Sequence, residues 1–277
     1  MPAKNPLFSS AKPVIAMIHL DALPGTPAGG RRVREIEATA LREAKIYRES
    51  GVHAIMLENM HDTPYLRGAV GPEIVSVMSV IARAVKDASR LPCGVQVLAG
   101  ANVEAVAVAH AARLDFVRVE GFAFAHIADE GFIQSSAASL LRYRKQIGAD
   151  RVHVWADVKK KHSSHAITSD ISVGKTAEAV EMMRGDAVII TGTVTGDPPS
   201  LADVRDAKNH CRIPVYLGSG VTAQNLAKFY NAADGFIIGS HFKVDGLWSN
   251  TVDPKRVARF MAAHARLSCR PPLRPPT

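Results

Sequence analysis

Eight times along this chain, a short run rich in Val and Ile gives way to a longer segment with helical spacing of its apolar residues. The runs are Val14–Ile18, Val52–Leu57, Gly94–Leu98, Asp115–Val119, Val152–Val158, Ala187–Ile190, Pro214–Leu217 and Asp234–Ile238. Helices are predicted after them over Arg31–Arg48, Pro72–Lys86, Val103–Ala112, Ala137–Gln146, Lys175–Arg184, Leu201–Asn209, Ala223–Tyr230 and Pro254–Arg266. Strands joined by helical crossovers pair in parallel, because a parallel pair needs a long connection. Eight such units in about 250 residues predict a single (β/α)8 TIM barrel. A doubly wound sheet would normally carry G-x-G-x-x-G after its first strand. Leu20-Asp21-Ala22-Leu23-Pro24-Gly25 stands there instead. The predicted layout is an N-terminal extension over 1–13, the barrel over 14–266, and a Pro/Arg-rich tail over 267–277.

The 47% hydrophobic content supplies a large core, and 22% charged residues without a long polar tract exclude a disordered chain. No stretch of 18 apolar residues is present, so no transmembrane helix is expected. Met1–Ser10 lacks the apolar segment of a secretory signal. Cys93, Cys211 and Cys269 lie far apart, which argues against a disulfide framework or a structural zinc site. A cytoplasmic protein is expected. The net charge of +8 is concentrated from Lys208 onward. Such a surface suits a phosphorylated small molecule or peripheral membrane contact. Without a zinc finger, an RNP sequence or an RGG tract, nucleic acid is not the expected partner. A homo-oligomer is expected.

Barrel active sites lie at the C-terminal ends of the strands. The residues there are His19 and Asp21, Glu58 and Asn59, Gln96, Arg118 and Glu120, Asp157 and Lys159, Thr191, Gly218 and Ser219, and Gly239 and Ser240. Strand alternation turns Val152, Val154, Ala156 and Val158 toward the helices, and Trp155, Asp157 and Lys159 into the barrel. The same parity points Glu58, Arg118 and Glu120 inward. These charges form either a functional site or a structural ion-pair network, since buried charges need partners.

Gly218-Ser219-Gly220-Val221-Thr222 follows the seventh run and leads toward a helix; Gly239-Ser240 follows the eighth, with Lys243 close by. Glycines let backbone N–H groups approach an anion, and a helix N-terminus adds a favourable dipole. The loops after strands seven and eight are a frequent phosphate site of this fold. Gly218, Ser219, Gly220, Thr222, Gly239 and Ser240 are therefore the candidate phosphate cradle. Asp157 or Glu120 is the candidate general acid or base, assisted by His19. Lys159 is a candidate Schiff-base amine if burial lowers its pKa. Asp21, Asn59, Gln96, Arg118 and Thr191 are candidate substrate contacts. Glu58, with Asp62 or Asp157, is a candidate holder of a divalent cation such as Mg2+. Val173-Gly174-Lys175-Thr176 ends like a P-loop, but Ser169 stands where the first glycine is required. His162 and His165 are expected in a loop.

Several motifs, in order, resemble the BtpA/SgcQ family. They are Val14-Ile15-Ala16-Met17-Ile18-His19-Leu20 with Leu23-Pro24-Gly25, and Glu58-Asn59-Met60 with Asp62 and Pro64. Arg118-Val119-Glu120-Gly121, Asp157-Val158-Lys159-Lys160-Lys161-His162, Thr191-Gly192 and Gly218-Ser219-Gly220-Val221 continue the likeness, which spans about Val14–Arg266. The resemblance implies a TIM barrel with a phosphate-binding end, in a cytoplasmic or membrane-peripheral protein. Family members include a protein linked to photosystem I biogenesis and others encoded with sugar-utilisation genes. The expected function is an enzyme acting on a phosphorylated sugar or nucleotide-like metabolite by acid/base chemistry. The alternatives are a non-catalytic assembly or stability factor, or a phosphometabolite-binding regulator.

Overall fold

The computed structural model describes residues 7, 8, 10, 12–192, 194 and 196–269. Eight parallel strands close into a barrel: β1 (Val14–His19), β2 (Ala54–Glu58), β3 (Cys93–Gln96), β4 (Phe116–Val119), β7 (His153–Val158), β9 (Ala187–Ile190), β10 (Val215–Leu217) and β11 (Gly235–Ile238). The closing pair sets Val14 beside Phe236 and Ala16 beside Ile238. The helices are α1 (Val33–Glu49), α2 (Pro72–Ser89), α3 (Asn102–Ala111), α4 (Ala137–Gln146), α5 (Val173–Met182), α6 (Leu201–His210), α7 (Leu226–Phe229) and α8 (Pro254–Ser268). Their starts have local chemical causes. Pro72 and Pro254 stand in first turns, where a missing N–H costs nothing. Ser172, Ser200 and Asp253 accept from the backbone N–H groups of Lys175, Asp203 and Lys255.

The strand parity divides the apolar residues into two layers. Ile55, Leu57, Val117, Val119, Val152, Val154, Ala156 and Val158 pack outward with the helices. Ile15, Met17, Met56, Phe116, Trp155, Ile189, Tyr216 and Ile237 fill the barrel interior. Trp155 stacks on Phe116 with ring centroids 3.8 Å apart and an 11° interplanar angle. Leu7 and Phe8 of the N-terminal extension pack against this inner layer, with the Phe8 ring 6.1 Å from Trp155. Polar residues at the N-terminal face clip the frame together. Asp115, Asp186 and Asp234 accept from N–H groups in the first two positions of neighbouring strands, at Cys93, Val154 and Val215 (2.7, 2.7 and 2.8 Å). His53 Nδ1 accepts from Val14 N at 3.0 Å. These contacts fasten the strand starts at this face.

Three features depart from the sequence expectations. The loop after β4 contains a hairpin, β5 (Ala125–Ala128) and β6 (Gly131–Gln134), and β8 (Ser163–Ser164) pairs on the other side of β5. The stretch carrying His162 and His165 is thereby tied into a small antiparallel sheet at the barrel mouth. The helix expected over Ala223–Tyr230 is one turn long, Leu226–Phe229. Asn225 causes the delay: its Oδ1 accepts from Thr222 N at 2.7 Å and its Nδ2 donates to Gly220 O at 2.8 Å, which holds the chain in a turn. The last helix runs to Ser268, past the expected start of the tail at 267, and Arg270–Thr277 lies outside the described residues. Among the described residues, no helix is long and apolar enough to cross a membrane.

Candidate functional site

The C-terminal mouth of the barrel holds two cavities that share Glu58, Met60, Arg118 and Lys161 as a common wall. The first, about 160 Å³, lies against Gly218–Thr222 and Gly239–His241, with Arg256 at its edge. The second, about 300 Å³, gathers Gln96, Glu120, Asp157 and Lys160, under Tyr65, Trp248 and the hairpin tip at Asp129 and Glu130. A glycine-lined lobe thus adjoins a charged lobe.

The charged lobe is built from ion pairs. Arg118 forks onto Asp157, with Nε 3.1 Å from both carboxylate oxygens and Nη2 3.0 Å from Oδ1. Burial works against the Arg118 charge, but Asp157 and then Glu58 outweigh it and raise its pKa. Lys160 Nζ lies 3.1 Å from Glu120 Oε2, and Gln96 Nε2 donates to Glu120 Oε1 at 3.1 Å. The backbone of Glu120 is gripped by Asn102, which accepts from its N–H at 3.2 Å and donates to its carbonyl at 2.6 Å. Burial raises the Glu120 carboxyl above the usual range, against the pull of Lys160. Glu58 is raised by burial too, against Arg118 and Lys161. Gln96 Oε1 is buried without a hydrogen-bond partner, an acceptor beside the lobe.

His19 stands at the wall between the lobes, its Nε2 3.7 Å from Glu58 Oε2. Its Nδ1 is 3.0 Å from the Trp248 carbonyl, which can only accept, so Nδ1 carries the proton and Nε2 is an acceptor. Burial and then Lys243 push its pKa down to about 3. The imidazole is neutral near pH 7, so the contact with Glu58 is not an ion pair. The folded value lies below the unfolded value of 6.5, so the unfolded chain binds the extra proton between these pH values. This histidine should therefore erode stability as pH falls from 6.5 toward 3, by up to about 1.4 kcal/mol per pH unit. Urea midpoints at several pH values should fall less steeply for His19→Gln than for the parent; equal slopes would contradict this.

In the glycine lobe, several donors are already engaged. Gly218 N donates to Ile190 O at 2.9 Å, and Ala223 N donates to His241 Nε2 at 3.1 Å. Ser219 Oγ accepts from Gly192 N and donates to Asp197 O, both at 2.8 Å, so its hydroxyl clips two loops. The single-turn α7 starts only at Leu226, so the helix N-terminus expected directly after the Gly218–Thr222 loop is not there. Thr222 N, already bound to Asn225, leaves the cradle's donors. Arg256 supplies positive charge instead, held by its Nε bond to His241 O at 2.7 Å. Lys243 is not at the cradle: it is buried and bound to both oxygens of Glu43 at 2.8 and 2.9 Å.

The BtpA family model matches residues 10–266. The chain belongs to the BtpA family. The mitochondrial protein F13E9.13 of Caenorhabditis elegans is 41% identical over 92% of this chain and 94% of its own length. The photosystem I biogenesis protein BtpA of Synechocystis is 33% identical, over 93% of this chain and 90% of its own. Among solved structures, thiamine phosphate pyrophosphorylase from Pyrococcus furiosus superposes with a TM-score of 0.56 at 16% identity, covering 93% of this chain and 96% of that one, a likeness of fold.

Within this BtpA-family barrel, Glu58, Gln96, Arg118, Glu120 and Asp157 come together at the mouth, with His19 and the cradle loops beside them. Other expected residues do not join them. The chain leaves β7 at Val158 and Lys159 takes a left-handed φ of 48°, so strand parity no longer applies to it. Its Nζ binds Thr168 O at 2.6 Å, outside the two lobes. Asp21 pairs with Arg31 at 2.9 Å, away from both cavities. Asn59 and Asp62 brace the loop after β2: Asp62 accepts from Leu23 N and Asn59 Nδ2 (2.7 and 2.9 Å), and Asn59 Oδ1 accepts from Leu98 N at 2.8 Å. Asp62 is thus not a partner of Glu58, and among the described residues no group of three His, Cys, Asp or Glu side chains gathers for a metal ion. Thr191 Oγ1 accepts from Lys161 N at 3.0 Å and so positions that residue rather than lining either lobe. The mouth adds Lys160, Lys161, Tyr65, Trp248 and Arg256, which strand ends alone do not reveal. The three-lysine run was the visible signal; which lysine enters depended on the turn at Lys159.

Proposed function

We propose that the chain is an enzyme acting on a phosphorylated small molecule. The phosphate would sit in the glycine lobe against the backbone of Gly220–Val221 and Gly239–Ser240 with Arg256, and the reacting part in the charged lobe. The observation that carries this is the adjacency of the two lobes, which share Glu58, Arg118 and Lys161 in their linings. A cavity with a few convergent polar groups and perturbed carboxyls is what an active site requires. The barrel of similar fold from Pyrococcus furiosus is a thiamine phosphate pyrophosphorylase, which supports a phosphorylated ligand as one this fold can serve.

Glu58 is the proton carrier in this scheme. Burial raises its pKa, so it can hold a proton nearer neutral pH than an exposed carboxyl can. His19 Nε2 offers a neutral acceptor beside it. Asp157 and Glu120, each paired with a cation, orient Arg118 and Lys160 toward the ligand. The test is a thermal-shift and turnover screen of phosphosugars and nucleotides, with and without Mg2+. Stabilisation by phosphorylated compounds but not by their dephosphorylated forms, together with turnover of at least one, is expected. Stabilisation without turnover would favour the regulator, and neither would favour an assembly factor.

A further inference from the structure

Three consecutive lysines leave β7 and go separate ways. Lys159 turns out to Thr168, and Lys160 pairs with Glu120. Lys161 borders both lobes, sharing the glycine lobe with Gly218–Thr222 and the charged lobe with Glu120 and Asp157. Its backbone is pinned at the barrel rim by the 3.0 Å bond from its N–H to Thr191 Oγ1, at the end of β9. It is flanked by left-handed residues two before it and one after it, Lys159 and His162, with φ of 48° and 53°. The turn is thus built to bring this one lysine to the junction.

We infer that Lys161 is a nucleophile, its amine condensing with the carbonyl carbon of an aldehyde or ketone that carries a phosphate. This rests on the phosphometabolite function proposed above and narrows its substrate class to phosphorylated carbonyl compounds. The amine lone pair forms the C–N bond while the carbonyl π pair moves to oxygen, which takes a proton. The nitrogen gives up one proton, and its lone pair expels the hydroxyl as water after protonation by Glu58, giving a protonated C=N bond whose remaining N–H proton returns to the Glu58 carboxylate. The carbonyl compound and the amine become imine and water, with no oxidant or reductant. The amine must be unprotonated to attack. Burial, then the neighbouring Arg118 charge, lowers the Lys161 pKa, while Glu58 and Asp157 act the other way. Glu58 also borders both lobes, so acid and amine face the same carbonyl.

The experiment treats the full chain with D-glyceraldehyde 3-phosphate and sodium cyanoborohydride, which reduces an imine to a stable secondary amine, and maps the adduct by peptide mass spectrometry. Labelling at Lys161 is expected, slowed at least about tenfold by excess inorganic phosphate and about tenfold slower with unphosphorylated glyceraldehyde. Lys161→Arg and Lys161→Met should lose that adduct, whereas Lys159→Met should keep it. Calorimetric titration with inorganic phosphate, run on parent and variants, separates the two claims. Phosphate binding without a Lys161 adduct overturns the nucleophile and leaves the phosphate site standing. Labelling of Lys161 that phosphate does not slow overturns the phosphate site and, with it, the proposed substrate class. No binding and no adduct overturns both.

Discussion

Asp157→Asn is expected to destabilise the fold by about 3–5 kcal/mol, the usual cost of stranding one member of a buried ion pair. Both carboxylate oxygens of Asp157 face the Arg118 guanidinium at 3.0–3.1 Å, and both side chains are nearly inaccessible. An amide removes the charge and turns donors toward a donor. Arg118→Met should cost a similar amount by stranding Asp157. In the double variant Asp157→Asn with Arg118→Met, the loss should be smaller than the sum of the singles, because contacting residues couple. Urea unfolding of the four proteins measures this. A change below about 1 kcal/mol for Asp157→Asn would mean that Arg118 is held chiefly by Glu58 and Glu120.

Gly239→Val should abolish phosphate binding while leaving the barrel folded. A Cβ on Gly239 would lie 3.2 Å from the His19 ring, at the floor of the glycine lobe, so further methyls project into the space the anion needs. The expected loss is at least about tenfold in affinity, with a stability cost of about 1–3 kcal/mol from overpacking. Gly220 makes a less selective probe. Its φ is +65°, and a Cβ there would overlap the backbone of Asp197 and Pro198. Gly220→Ala should therefore distort the loop itself and lose binding and stability together. Unaltered phosphate affinity in Gly239→Val would remove the glycine lobe from the account.

The barrel was legible because its signal is redundant: eight apolar runs, each with a parity that separates outward Val and Ile from inward Trp155, Phe116 and Tyr216. The same parity located Glu58, Arg118, Glu120 and Asp157, since they sit on or one residue beyond regular strand. It failed at Lys159, where one left-handed residue ended the alternation and passed the mouth to Lys160 and Lys161. Asn59 looked like a substrate contact and Asp62 like a partner of Glu58 for a cation, but the loop N–H groups at Leu98 and Leu23 claimed them. The hairpin over Ala125–Gln134 had a period-2 signal in His126, Ala128 and Ile133 on one side with Ile127 and Phe132 on the other. It is short and lies in a connection, where a strand is not expected. Arg256 was invisible for a different reason: it comes from the first turn of α8 and reaches the lobe only because the barrel closes α8 onto the β11 loop.

The most direct test of the central claim is a crystal structure of the protein soaked in phosphate. Tetrahedral density is expected against the backbone of Gly220–Val221 and Gly239–Ser240, within reach of Arg256. Density found only outside the barrel mouth, with the glycine lobe holding water alone, would contradict it.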